Sequence, residues 1–306
     1  MSRAPKPSFI PMPGPAALPR WIRQGVGRDD IEAAMFSAGA ALAALDVAAR
    51  SDDPVGGLWR KRLALGAATA VSGFEGRREG EAQLRDAFVL RRAGDDPGPA
   101  GRMLLGWRAL GEARALRSAE WPARLPGFFD LSPALVAGPL QDAGTRFIGR
   151  TPPLRFAATA AREVLTLGPA CRGLALWLAD ALLARALGWE RPVPLLATQL
   201  PRAAFRLEGE AWLAACAEAW AKAAVAAYDL WAGLLQRGNA LRLAPLRRPG
   251  KDTGQIIAAL LSEDALIARA GAEASDRAAR RLFDRLISLG LVRELTGRSS
   301  FRLYGL

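Results

Sequence analysis

The last thirty-two residues, SDRAARRLFDRLISLGLVRELTGRSSFRLYGL, change their hydrophobic period midway, and this constrains the fold more than any other stretch of the chain. Ala279, Leu282, Phe283, Leu286 and Leu289 recur at steps of three and four, the spacing that gathers side chains on one face of a helix. Ser275 is placed to accept from the first-turn amides, Asp276 complements the positive end of the helix dipole, and Gly290 stands where a left-handed residue ends a helix. The pattern predicts a helix close to Asp276–Leu289 with that face in a core, each large side chain contributing roughly 1.5–3 kcal/mol on burial. The opposite face carries Arg277, Arg281 and Arg285, with Ser288 beyond, while Arg280 lies four residues from both Asp276 and Asp284, which neutralise it in part.

After Gly290 the period becomes two. Leu291, Arg293 and Leu295 alternate with Val292 and Glu294; Thr296-Gly297-Arg298-Ser299 supplies turn chemistry; Phe301 and Leu303 alternate with Arg302 and Tyr304. This predicts a β-hairpin with Arg298 at or near its tip. Upstream, Gly254–Leu261 and Ala265–Ala270 are short apolar-periodic segments split by Ser262-Glu263-Asp264, with Ser262 a candidate cap. Helix, helix, helix, wing is the order of a winged helix-turn-helix, which sets its third helix in the major groove of DNA and its wing against the backbone or minor groove. The expected partner is double-stranded DNA, and the expected role that of a transcriptional regulator or DNA-maintenance factor. Arg277, Arg280, Arg281 and Arg285 are expected to face the groove, with Arg298 and Arg302 on the wing.

Gly290–Leu306 also resembles the hairpin that ends many Fic-family proteins, where a Gly-(Ile/Leu)-Leu-x-Glu-x-Thr-Gly-(Arg/Lys) phrase precedes an arginine-rich strand and a tyrosine. The resemblance implies the wing alone, because Fic catalysis needs a histidine motif and this chain has no histidine. That absence also removes serine–histidine triads, histidine metal ligation and the usual general base near neutral pH. Tyr228 and Tyr304 are the only tyrosines, so the arginine–histidine–tyrosine pattern of a tyrosine recombinase is absent as well.

The net charge of +12 favours an anionic partner. Against this, 38 of the 42 basic residues are arginine in an alanine-rich chain, a bias that GC-rich coding also produces. Cys171 and Cys216 lie in apolar helical settings and read as two buried, reduced thiols; without histidine they make no usual zinc site, and no cofactor or metal is expected. Prolines at 5, 7, 11, 13, 15 and 19 break any apolar leader, and Leu174–Leu187, read as the most apolar helix, is interrupted by Asp180 and Arg185. These features predict a cytoplasmic protein with no membrane span.

The fold class expected is all-α: a multi-helix bundle body with a C-terminal winged helix-turn-helix carrying a small β-hairpin. Residues 1–28, with Arg3, Lys6, Arg20 and Arg23, read as a flexible proline-rich basic arm, 29–245 as the helical domain, 246–253 as a basic linker holding Arg247, Arg248 and Lys251, and 254–306 as the winged helix. The linker cations are candidate phosphate contacts or simply a solvated segment. Within the body, Asp30–Ala49 shows a small-residue face of Ala33, Ala34, Ala38, Ala41, Ala44 and Ala48. Gly57–Val71 sets Trp59 and Leu63 opposite Arg60, Lys61 and Arg62, and Glu79–Arg92, Ala100–Ala115, Leu154–Leu167 and Cys171–Leu187 follow as helices, with Ser118–Pro153 as short helices and loops. Glu208–Leu243 is a long helix on which Trp212, Cys216, Ala223, Ala227, Trp231 and Leu235 track one face, the pattern of a core or dimer contact rather than of exposed base-stacking rings.

Gly94-Asp95-Asp96-Pro97-Gly98-Pro99-Ala100-Gly101-Arg102 is the most unusual phrase of the body. Its prolines suit a rigid turn that starts a helix. The alternative is a carboxylate-based site joining Asp95 and Asp96 to Glu79, Glu81 or Asp86, with Arg85 near; the Gly-Lys-Ser/Thr ending of a P-loop is missing. Together with Leu84-Arg85-Asp86-Ala87, Trp107-Arg108, LADALLARALGWERPVPLL (Leu178–Leu196) and the terminal helix, the phrase resembles an uncharacterised bacterial family, the domain of unknown function 1403. The resemblance spans most of the chain and implies fold boundaries without an activity, cofactor or catalytic residue. Two other readings remain open beside DNA binding: a protein–protein adaptor whose winged helix is structural, with a homodimer or protein partner on the helical domain, and an enzyme built on the Asp95/Asp96 turn.

Overall fold

The computed structural model describes residues 14–24, 30–92, 94–112, 121–145, 151–244, 253–268, 276–297 and 301–306. The body holds α1 (Arg20–Gln24), α2 (Ile31–Ala49), α3 (Val55–Phe74), α4 (Glu81–Leu90), α5 (Gly98–Leu110), α6 (Trp121–Phe128), α7 (Pro133–Thr145), α8 (Pro153–Leu165), α9 (Arg172–Ala186), α10 (Leu196–Gln199) and α11 (Gly209–Arg242). The C-terminal end follows as α12 (Thr253–Ser262), β1 (Leu266–Ile267), α13 (Asp276–Ser288), β2 (Arg293–Glu294) and β3 (Leu303–Gly305). The protein is mostly helical, and among the described residues it has one small three-stranded antiparallel sheet, at the C-terminal end.

Small side chains decide how the body packs. Asp30 caps α2 by accepting from the Glu32 amide at 2.9 Å, and Ala34, Ala38, Ala41, Leu45 and Ala48 then form the face laid along α11. Ala33 and Ala44, expected on that face, are only half-buried. α11 runs unbroken over 34 residues and buries Trp212, Cys216, Ala223, Ala227 and Trp231, so these rings serve the core. α9 is buried on all sides, as expected of a helix apolar around its circumference. The tryptophans reconcile bulk with polarity: Trp59, Trp177 and Trp212 donate their indole N–H groups at 2.8 Å to the carbonyls of Ala227, Gly106 and Ala158.

Four expectations change. Arg60 is 4% exposed, donating to the carbonyls of Ala49 and Gly56 and lying over Trp59, and burial pushes it down to about 10. Periodicity put it on the solvent face because an isolated α3 has no neighbour there; in the fold, the end of α2 supplies the Ala49 carbonyl to receive it, beside the Gly56 carbonyl of α3's own first turn. Residues 14–24, inside the stretch read as an arm, dock on α11: Leu18 and Ile22 are buried, Arg23 pairs with Asp229 at 2.7 Å, and Tyr228 donates to the Ala16 carbonyl. The most apolar helix is α2, not Leu174–Leu187: among the described residues it is long and apolar enough to cross a membrane by length and composition, and its Ala38, Leu45 and Ala48 are fully buried on the side facing α11. Finally, Leu266–Ile267 is a strand where a helical segment was expected, because pairing with Tyr304 and Leu303 satisfies a backbone too short to hold a helix of its own.

Candidate nucleic-acid interface and the arginine joint behind it

α13 separates its two faces as its spacing predicts. Ala279, Phe283 and Leu286 are 3%, 1% and 0% exposed, and Phe283 stacks on Tyr304 of β3 with ring centroids 4.6 Å apart. Arg280, Arg281 and Arg285 are exposed. Among the described residues neither Arg280 nor Arg281 forms an ion pair, so no salt bridge joins Arg280 to Asp284, and the side chain of Asp276 lies outside those residues. Leu289, expected in the core, is 42% exposed. It stands at the end of the helix, where Gly290 takes φ 67° and the amides of Gly290 and Leu291 close back on Ile287 and Leu286, and this terminus lies past the core.

The sheet runs β1-β3-β2, with Arg293 opposite Gly305 and Glu294 opposite Tyr304. Glu294 organises the turn: its carboxylate accepts from the Thr296 hydroxyl and amide and from the Gly297 amide, and these donors hold it below its ordinary value. Arg302 is exposed next to Phe301, which is 65% exposed with a left-handed φ of 55°. Arg298 at the expected wing tip and the linker cations Arg247, Arg248 and Lys251 lie outside the described residues, as does the side chain of Arg277.

Behind this surface, the C-terminal end is joined to the body by charge. Asp264, between α12 and β1, is fully buried and accepts from Arg62 Nε of α3 at 3.1 Å and Arg85 Nε of α4 at 2.7 Å. Arg62 also donates to the main-chain oxygen of Leu306 at 2.6 Å, and Lys61 donates to the Ser262 carbonyl and pairs with Glu263. The approach is close enough that a Cβ on Gly305 would fall 2.7 Å from the Asp264 carbonyl oxygen. A cavity of about 460 Å³ opens beside the joint, lined by Arg62 of α3, Arg85 of α4, Arg293 of β2 and, as apolar surface, Ala223 and Leu230 of α11.

Sequence reasoning missed this cluster. Arg62, Arg85, Asp264 and Arg293 share no local spacing, and the one available signal was an acidic pair, Glu263-Asp264, directly after the apolar run of α12. The Asp95/Asp96 phrase, by contrast, is a turn. Asp95 accepts from the Arg92 amide, Asp96 accepts from the Gly98 amide and from Arg102, and the Gly98 amide and Arg102 hold Asp96 below its usual range. Among the described residues no group of three or more cysteine, aspartate or glutamate side chains is close enough to hold a metal ion.

Fold and site together define a class: a helical body whose C-terminal end adds a three-stranded sheet and a helix with an exposed arginine face. The chain belongs to the family described as "Protein of unknown function (DUF1403)", whose model matches residues 12–306. A search of the curated proteins finds no match.

Proposed function

We propose that the C-terminal end is a winged helix-turn-helix that binds double-stranded DNA, making this a cytoplasmic transcriptional regulator or DNA-maintenance factor. The observation that carries the reading is α13, whose apolar side is held down by Phe283 and Leu286 while Arg280, Arg281 and Arg285 face solvent. The antiparallel sheet packed against it, with Arg302 exposed on the returning chain, supports a wing. Guanidinium groups on a helix face can bind phosphates in parallel with base edges, and each phosphate neutralised adds about −0.9 to the slope of log affinity against log salt. Fluorescence anisotropy with duplex DNA over a salt series tests this on Arg280→Ala/Arg281→Ala/Arg302→Ala. The variant is expected to bind more weakly with a shallower slope; unchanged slope and affinity would remove the interface.

One observation favours a second reading, a protein contact on the body. Trp21 and Phe36 are 56% and 62% exposed and stack at 6.0 Å, and Val47, three turns along α2 from Phe36, is 58% exposed. Such a row suits a partner or a second copy of the chain, as in an adaptor.

A further inference from the structure

We propose that the cleft between the helical body and β2 binds a small organic anion, whose phosphate or carboxylate group meets Arg62, Arg85 and Arg293 while its uncharged part lies along α11. Four observations carry this, and none depends on the DNA-binding reading.

The cavity, about 460 Å³, is within the range of small-molecule sites and larger than a bare oxyanion needs. Its cations keep donors in hand. An arginine offers five N–H donors in a planar fork suited to oxyanions. Arg85 gives its Nε to Asp264, Arg62 gives its Nε to Asp264 and one terminal nitrogen to Leu306, and Arg293 forms no hydrogen bond or ion pair among the described residues through its side chain. The lining thus holds three arginines and one carboxylate, Glu81, and two of the arginines also pair with Asp264. The surplus is felt nearby: Arg237, about two turns beyond Leu230 on α11, is held below its ordinary value by burial and by the charges of Arg62 and Arg293. Lastly, the wall has both characters an organic anion needs, with Ala223 and Leu230 apolar and Thr198 and Gln199 polar.

Because Arg293 belongs to β2 and the other two cations to α3 and α4, a ligand here ties the sheet to the body and stabilises the folded state by mass action.

Isothermal titration calorimetry on the full chain at near-physiological salt tests the site, with pyrophosphate and citrate as separate probes that distinguish a phosphate from a carboxylate preference. Arg293→Gln removes one cation whose side chain has no partner among the described residues. Gly66→Leu fills the cleft without changing charge: a Cβ at Gly66 makes ordinary contacts, 3.5 Å from Glu81 and 3.8 Å from Thr198, and the longer side chain reaches beyond them. Arg206→Gln, an exposed arginine elsewhere on the body, is the control. The parent is expected to bind at least one probe saturably, with both cleft variants weakened by about tenfold or more, as loss of a charge-assisted contact implies, and the control unchanged. No saturable binding by the parent, parent-like binding by Arg293→Gln, or an equal loss in Arg206→Gln overturns the proposal. Should Gly66→Leu melt well below the parent, the Arg293→Gln comparison decides alone.

Discussion

Two carboxylates are sunk equally deep in this protein and are kept there by opposite means. Asp180, in the middle of α9, is 2% exposed and accepts only from neutral donors: Trp220 Nε1 at 2.9 Å and the amides of Leu195 and Leu196. Burial pushes it up to about 7. Its charge in turn helps burial raise the nearby Cys216 thiol well above its usual value. Asp264, at the joint, is 0% exposed and held between two guanidinium groups from two helices. The core carboxylate relieves its burial by keeping a proton, whereas the joint carboxylate relieves it by pairing with cations. What disturbs each follows directly: Asp180 answers to pH, and loss of Asp264 leaves two arginines without their carboxylate.

The largest effect is expected at the joint. Asp264→Ala strands Arg62 and Arg85, which are 13% and 14% exposed, and breaking a buried pair in this way costs about 3–5 kcal/mol. Urea denaturation reads the loss, and a stability equal to the parent would show that the joint stands on its apolar contacts alone. Next is the pH response of Asp180. Below the ordinary value of 3.8 it is protonated folded and unfolded; between there and about 7 the unfolded chain releases the proton while the folded chain keeps it. The folded state thus binds more protons, and its stability falls as pH rises through that window, by on the order of 4 kcal/mol, levelling off above it. Asp180→Asn, which keeps an oxygen acceptor and cannot ionise, should flatten the profile; a variant that retains the parent slope between pH 4 and 7 would assign that slope to another group. The smallest effect belongs to a pair in water. Lys222 and Glu218, 51% and 34% exposed at i, i+4 on α11, should contribute under about 0.5 kcal/mol, so Lys222→Ala should melt with the parent.

The same contrast explains what was legible beforehand. α2, α11 and α13 were readable because their burial repeats at helical spacing, and Gly290 because a left-handed stop is a local property. The split faces of α13 were readable for the same reason. Arg60 was misplaced, since a cation beside two apolar positions looks solvent-facing until the Ala49 carbonyl at the end of α2 is brought to it. The segment 266–267 was misread because a two-residue strand has no period, and only its partner in β3 defines it. The cleft was invisible: Arg62 and Arg85 sit on different helices and meet Asp264 and Arg293 some two hundred residues later.

Taken alone, the sequence determined a helical body, a terminal helix with one apolar and one arginine face, and a hairpin after it, since each rests on the period of neighbouring residues. Only the tertiary structure decided which cations are free and which are structural. Charge on a side chain is a local fact, but whether it meets water, a carbonyl or a carboxylate depends on elements the chain brings together from far apart.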